Sequence, residues 1–418
     1  MGRAIAEHPQ PGSFARNKKY LIYLTIFLGI VGMMDWYLSM LETTIKPLVI
    51  QEFGLTAPVF ARWESLYLIP SFFIFLLNGL SDIIGRKYTM LILILFMGLS
   101  AFAMTMFATT FHGFMILYAI INFSIVSNLW TIPMSEESPA RSRGKWMMIV
   151  FAITLIPLSG ILPPLIIPEH GWRWAYGITM VIAIISVIMW PFMKETNRYY
   201  QIKEEKKLKL KKTHAYGIGV ITRRDLFYIV VSVVIWASWL FVSRVLTWGG
   251  YYFMEIHGFS LSYWSILLAA SGLACILGAL VAGWLIDKIG RKKAYYISCI
   301  GLIVSLVLVG MLPRSLLFIA PPLAMFFLMF NYSWIVVYIP EIFPTEIRGT
   351  CLGWTTTISR GTFVLAPLVV SALLNAFPTM EMMWIIAGLF MIIPMLFVFL
   401  VRPHETMGEE LEEIEVKR

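Results

Sequence analysis

The chain has 418 residues, 59% of them hydrophobic and only 14% charged, with a mean hydropathy of +0.78. A soluble domain of this size carries roughly 25% charge, so an ordinary water-soluble globular fold is excluded. The formal charge of +9 invites a nucleic-acid partner, but the placement of the basic residues speaks against one. Arg244 and Arg360 lie inside apolar stretches, Lys46, Arg62, Arg173 and Arg314 border one set of loops, and the remaining 27 Lys and Arg fall on the other side. That asymmetry is the positive-inside rule, and it puts both termini in the cytoplasm of a multi-pass plasma-membrane protein.

In chain order, residues 1–19 are polar and basic and contain no cleavable apolar core, so the first apolar helix is expected to target the membrane itself. Twelve apolar stretches follow, at 20–49, 59–80, 88–108, 114–136, 145–167, 174–193, 226–254, 263–285, 294–312, 316–340, 350–374 and 382–401. Each is near the ~20 residues that cross ~30 Å of hydrocarbon. The bilayer core offers the backbone no water, so each is predicted to be a helix. The fold class is therefore all-α and integral to the membrane. The stretch 194–225, with Lys206-Lys207-Leu208-Lys209-Leu210-Lys211-Lys212, is too basic to translocate. It reads as a cytoplasmic linker, either a surface amphipathic helix or a solvated segment, between bundles at 20–193 and 226–401. Residues 402–418 form an acidic cytoplasmic tail. Cys275, Cys299 and Cys351 have no disulfide or metal spacing and read as small hydrophobes.

Two loop sentences are written twice. Asn78-Gly79-Leu80-Ser81-Asp82-Ile83-Ile84-Gly85-Arg86-Lys87 returns as Gly283-Trp284-Leu285-Ile286-Asp287-Lys288-Ile289-Gly290-Arg291-Lys292, with Asp82 and Asp287 205 residues apart. Glu136-x-x-Pro139-x-x-x-Arg143-Gly144 returns as Glu341-x-x-Pro344-x-x-x-Arg348-Gly349 at the same offset, and Glu195-Thr196 returns as Glu405-Thr406 at 210. Two independent loops sharing one offset make the chain two homologous halves. Parallel repeats of this kind occur in secondary transporters that rock two bundles about a midplane site.

These residues resemble the major facilitator superfamily signature, Gly-x-Leu-x-Asp-x-x-Gly-Arg-Lys, with Asn78 standing at the first glycine of the first copy. The Glu-x-x-Pro-x-x-x-Arg-Gly loops and the Glu-Thr pairs are similar to those of sugar porters and of metabolite proton symporters. Gly32-Met33-Met34-Asp35-Trp36-Tyr37 and Ser359-Arg360-Gly361-Thr362 resemble segments of aromatic-acid proton symporters, with Leu38 in place of a second acid. The resemblance implies a major facilitator fold of twelve transmembrane helices in two pseudo-symmetric six-helix bundles, working as a monomer by alternating access. It also implies that Asp82, Arg86, Glu136, Arg143, Glu195, Asp287, Arg291, Glu341, Arg348 and Glu405 link the bundles when the cytoplasmic side is closed. Carboxylates and guanidiniums that pair in one state and hydrate in the other make such a gate bistable.

Charges inside membrane helices are expensive, each ~2.5–3.5 kcal/mol or more at mid-bilayer. Asp35, Glu42 and Lys46 fall at i, i+7 and i+11 and share one helical face. Glu42 and Lys46 read as an ion pair at the rim. Asp35 is the candidate proton carrier, or alternatively the structural partner of an arginine elsewhere. Buried guanidiniums stay charged and fit carboxylates, so Arg244 and Arg360 are expected to hold an organic anion, or else to balance Asp35 and backbone carbonyls. On the helices that line the cavity by resemblance, Asn128, Trp248, Tyr251 and Asn331 are further candidate substrate contacts, with Asn122, Tyr332 and Trp334 beside them. No histidine lies at mid-membrane, and no nucleophile–base pair or metal cluster appears there, which argues against an enzyme. The expected function is proton-coupled uptake of a small organic anion, with a sugar or polyol symporter and a non-transporting sensor as alternatives. No cofactor is expected; the proton motive force supplies the energy, with sodium left open. The partners are a small-molecule substrate and the lipid bilayer.

Overall fold

The computed structural model describes residues 17–74, 80–81, 83–125, 127, 129–139, 143–197, 199–200, 221–343, 348–377 and 379–405, with backbone only at 143–144 and 348–349. Eleven helical stretches among them are long and apolar enough to cross a membrane. Together with the shorter α2 they are, in chain order, α1 (Lys18–Glu52), α2 (Ala57–Tyr67), α3 (Arg86–Phe107), α4 (Phe111–Ser124, resuming at Ile132–Glu137), α5 (Arg143–Thr154), α6 (Trp172–Met189), α7 (Arg223–Leu246), α8 (Leu261–Ile289), α9 (Arg291–Met311), α10 (Ala320–Glu341), α11 (Arg348–Ser359 and Thr362–Ala376) and α12 (Glu381–Phe390 and Ile392–Val401). α2 is followed by a 3-10 turn at Ile69–Phe73, and the twelve give the helix order that the sequence predicts.

Local chemistry starts these helices where apolar patterning alone would leave the ends loose. Asn17 caps α1, Thr110 caps α4 and Ser260 caps α8 through side-chain oxygens, and Thr222 with Asp225 forms a reciprocal capping box on α7. The helices α3 and α9 begin differently. Gly85 and Gly290 turn the chain at φ +99° and +94°, values that favour glycine. Glu195 then accepts from the backbone N–H of Arg86 at 2.8 Å and Lys87 at 3.2 Å, and Glu405 does the same for Arg291 at 2.8 Å and Lys292 at 3.0 Å. Carboxylates on helix N-termini satisfy orphan donors and the helix dipole together. The repeated motif is thus the same device built once in each half.

Several spans that read as continuous are broken. The fourth stops at Ser124, turns through Leu129–Thr131, and resumes. The fifth breaks at Pro157, which lacks the N–H a helix needs, and continues as Leu158–Ile161 and Pro163–His170. The seventh ends at Leu246, restarts at Gly249–Tyr251 and passes into a wider π turn at Tyr252–Ile256. The eleventh bends at Arg360-Gly361. Non-helical backbone at membrane depth is tolerated where it lines a cavity or is buried in protein, and Ile125, Trp130, Leu155, Gly249 and Phe253, at or beside three of these breaks, line a central cavity.

The two halves meet at the end of the bundle distant from the chain termini. Ser65 donates to the carbonyl of Val364 and Ser371 to that of Pro58, joining α2 to α11. Trp264 of α8 donates to Thr44 of α1 at 3.1 Å. A Cβ on Gly250 would sit 1.8 Å from the Thr43 carbonyl oxygen, so only glycine allows α1 this close to the restart of α7. Among the described residues, hydrogen bonds between the halves run from mid-membrane to this far end.

Candidate functional site

A central cavity of about 140 Å³ lies between the halves, walled mainly by aromatic and aliphatic side chains. From α1, one face presents Asp35, Ser39 and Glu42 to it. Asp35 is buried and accepts from the indole N–H of Trp130 at 3.1 Å. Trp130 belongs to the turn that interrupts α4, so the helix break is what brings this donor to the acid. The same break exposes the carbonyl of Ile125, which accepts from Arg360 of α11 at 3.1 Å. Arg360 is 1% exposed, stands outside the cavity wall, and lies within electrostatic reach of Asp35.

Toward the far end the cavity is closed by a buried charge network. Arg244 of α7 grips Glu42 with both terminal nitrogens, at 2.7 and 3.1 Å, and also pairs with Glu64 of α2. Lys46 reaches Glu42 at 3.0 Å, Glu64 at 3.2 Å and the hydroxyl of Thr247 at 2.7 Å. Tyr118 donates to Glu64 at 2.9 Å and accepts from Arg244 at 2.8 Å, while the Asn122 side-chain oxygen takes another Arg244 N–H at 3.3 Å. Two carboxylates face two cations, so the cluster is neutral. Its four charged members are 1–6% exposed, a position in which an unmatched charge would be severely destabilising. Because Arg244 and Thr247 come from one half and the rest from the other, the network locks the far end of the halves together. The expected rim pair of Glu42 and Lys46 is present, but inside the molecule and shared with two further charges.

The structure separates the other expected substrate contacts. Trp248 and Tyr251 share Arg244's face only if α7 runs on; it ends at Leu246, and Trp248 instead lies under the Lys46 ammonium, 4.6 Å from its ring centre. Neither ring lines the cavity. Asn331 is fully buried and donates to Ser298 at 2.8 Å, inside the C-terminal half. Trp334 donates to the carbonyl of Arg291, whereas Tyr332 does line the cavity and stands 5.0 Å from the Trp239 ring. Asn128 lies outside the described residues.

Of the residues expected to form the gate, Arg86 forks onto Glu136 at 2.9–3.2 Å and donates to the Ser81 carbonyl. Arg291 does the same with Glu341 at 3.0 and 3.3 Å, with Asp287 at 2.8 Å and with the Ile286 carbonyl. Each described partner lies in the same half. Asp82 and the side chains of Arg143 and Arg348 lie outside the described residues.

Glu64, Tyr118, Trp130 and Thr247 escape the sequence reading. A charge tally is the signal for the first: Lys46, Arg244 and Arg360 outnumber Asp35 and Glu42 inside the helices, and a third acid is needed. Glu64 is the acid inside the second apolar stretch, 59–80. The three free cysteines are buried.

A family model described as Major Facilitator Superfamily matches residues 25–367 and 252–417. Among curated proteins, the glucose transporter GlcP of Staphylococcus epidermidis is 27% identical over 375 residues, covering 80% of this chain and 83% of its own. The putative niacin/nicotinamide transporter NiaP of Bacillus subtilis is 26% identical over 311 residues, covering 72% and 75%. Among solved structures, that of a D-xylose-proton symporter superposes with a TM-score of 0.72 at 17% identity, over 91% of this chain and 97% of the other. That likeness carries the fold.

Proposed function

The chain belongs to the Major Facilitator Superfamily, whose members here are transporters and not enzymes, and on that premise we propose that it is a proton-coupled symporter of a small, uncharged, ring-shaped metabolite of the sugar type. The observation that carries this reading is the commitment of Arg244. It is the one cation on the cavity wall among the described residues, and Glu42 and Glu64 already hold it. An organic anion needs available guanidiniums, and Arg360 stands behind the wall against the Ile125 carbonyl. What the cavity offers instead is rings and hydroxyls: Trp36, Trp130, Trp239 and Tyr332 with Ser39, Thr154, Ser243 and Ser271. Such a mostly apolar pocket with a few placed polar groups suits a ring that stacks on its faces and hydrogen-bonds at its edge. The names of the relatives, glucose and niacin/nicotinamide, are both of small ring compounds.

Asp35 is the proton carrier in this proposal, since it is the cavity carboxylate outside the neutral lock. The bundles 20–193 and 226–401 rock about the cavity, the proton motive force drives accumulation, and one chain is the working unit. With both termini in the cytoplasm of the plasma membrane, the far-end lock closes the outside.

Proteoliposomes loaded with a pH dye test the reading. Sugars are expected to acidify the lumen as protons enter with them, while organic acids and cations do not. Asp35→Asn is expected to exchange labelled substrate at near wild-type rates without accumulating it against a gradient. A pH response to acids alone overturns the uncharged substrate and returns Arg244 and Arg360 to anion binding.

A further inference from the structure

The break in α4 delivers the Trp130 indole into a slot between α1 and α5. Its N–H meets Asp35 at 3.1 Å, and the side chain is buried. On one side stands Phe151 of α5, edge-on, with the ring centres 5.4 Å apart. On the other is Gly32 of α1, three residues before Asp35. A Cβ there would lie 3.1 Å from two atoms of the indole's six-membered ring and would overlap the Thr154 hydroxyl of α5.

Glycine is a poor helix former, so its place in mid-span needs a packing reason. Gly29, one turn earlier on the same face, has one as well: its Cβ would lie 2.7 Å from the Ile153 side chain of α5. The two positions differ in what they touch. Gly29 meets α5 alone, whereas Gly32 meets α5 and the indole together. Around the acid, Arg360 of α11 is within electrostatic reach, and Glu42 stands two turns along α1, paired with Arg244 of α7. The cavity side chains from the α4 break and from α5, α8 and α10 are uncharged, Tyr332 being the one among them that titrates.

We propose that Trp130 is a positioning residue for the proton carrier and that Gly32 seats its indole against Asp35, so that together they set the pH at which Asp35 takes its proton. The N–H favours the ionised carboxylate over the protonated one, because a hydrogen bond to a charged acceptor is the stronger. Pulling the donor away therefore moves protonation to higher pH. The proposal rests on the reading of Asp35 as the carrier in transport.

Infrared difference spectra of the full-length protein in nanodiscs test this without a substrate. The protonated-carboxyl stretch that Asp35→Asn removes reports Asp35 alone, and its pH titration gives a midpoint. Trp130→Phe keeps a ring in the slot and should raise that midpoint by about one unit, a tenfold change in proton affinity. Gly32→Ala should raise it in the same direction by less, and the two combined should add nothing to Trp130→Phe. Gly29→Ala also crowds α1 against α5; it should lower the melting temperature and leave the midpoint in place. A midpoint unmoved by Trp130→Phe or by Gly32→Ala overturns the positioning role, as does Gly29→Ala moving it as far as Gly32→Ala does. Loss of proton-driven glucose accumulation in Asp35→Asn, alongside either of those results, leaves the transport reading standing. Midpoints that move as expected, in a protein whose glucose accumulation ignores Asp35→Asn, support the pairing of Trp130 with Asp35 and overturn the carrier instead. An Asp35 that never protonates from about pH 9 down to about pH 4 overturns both.

Discussion

Replacing Arg244 by glutamine leaves Glu42 and Glu64 facing Lys46 alone, one carboxylate charge too many in a cluster that is at most 6% exposed. Removing one partner of a buried ion pair destabilises by about 3–5 kcal/mol. The loss falls on the state in which the far end is closed, because opening that end lets water reach both carboxylates. At 1.36 kcal/mol per tenfold, the closed-to-open ratio should fall by roughly 150- to 5000-fold at pH 7. Spin labels at Gln51→Cys and Glu255→Cys, both exposed at the far end, would report the separation of the halves by electron–electron resonance. The native cysteines are buried and can stay. Arg244→Gln should move the distance distribution to longer values at pH 7, and Arg244→Gln with Glu64→Gln should restore it, because Glu42 and Lys46 then balance. An unmoved distribution, or a double variant as open as the single one, would refute the neutral-lock reasoning.

Gly250→Ala should also hold the far end open, since its Cβ meets the Thr43 carbonyl at 1.8 Å and backbone cannot yield as a side chain does. Gly258→Ala is the control: it stands at φ +63° in open space, so about 1–2 kcal/mol of local strain and unchanged label distances are expected. Glu136→Gln turns the charge-assisted fork from Arg86 into a neutral contact, at a cost of about 1–2 kcal/mol. A melting temperature lower by about 2–4 °C, with transport reduced at unchanged substrate affinity, is the expected result; unimpaired turnover would remove Glu136 from the gate.

The repeat was legible because its chemistry is local. Gly85 and Gly290 must turn the chain, Arg86 and Arg291 must meet an acid 50 residues on, and both copies carry the same letters in the same register. The helix count was legible for the same kind of reason, since each span is a run of apolar residues. The breaks were not. Nothing within a turn of Ile125 announces that α4 stops there, because what satisfies its carbonyl is Arg360, 235 positions away. The role of Glu64 was hidden in the same way: beside Arg62 and Trp63 it reads as part of a loop edge, and only α7, arriving from the other half, buries it. Trp248 and Tyr251 would share Arg244's face only on a helix that ran on past Leu246, where α7 ends. Patterns repeated within each half survived, and those that assume an unbroken helix or depend on what the other half supplies did not.

With Glu64 counted, the described helices hold three central acids and three central bases, and geometry divides them unequally. Four form the lock, and Asp35 with Arg360 stands apart, nearer the middle of the span. The two groups touch through one ring: Phe363 lies 5.1 Å from the Arg244 guanidinium and 5.4 Å from that of Arg360. In the proposed cycle, a proton on Asp35 removes the charge opposite Arg360 and loosens the Trp130 hydrogen bond, which is stronger to an ionised acceptor. Both changes act on the same interrupted stretch of α4, because Trp130 and the Ile125 carbonyl belong to it. Arg360 packs against Phe363, which also borders the arginine that closes the lock. Proton occupancy at mid-membrane and closure at the far end are thus separated by a single side chain, which is a short enough path for one to bias the other without a long relay.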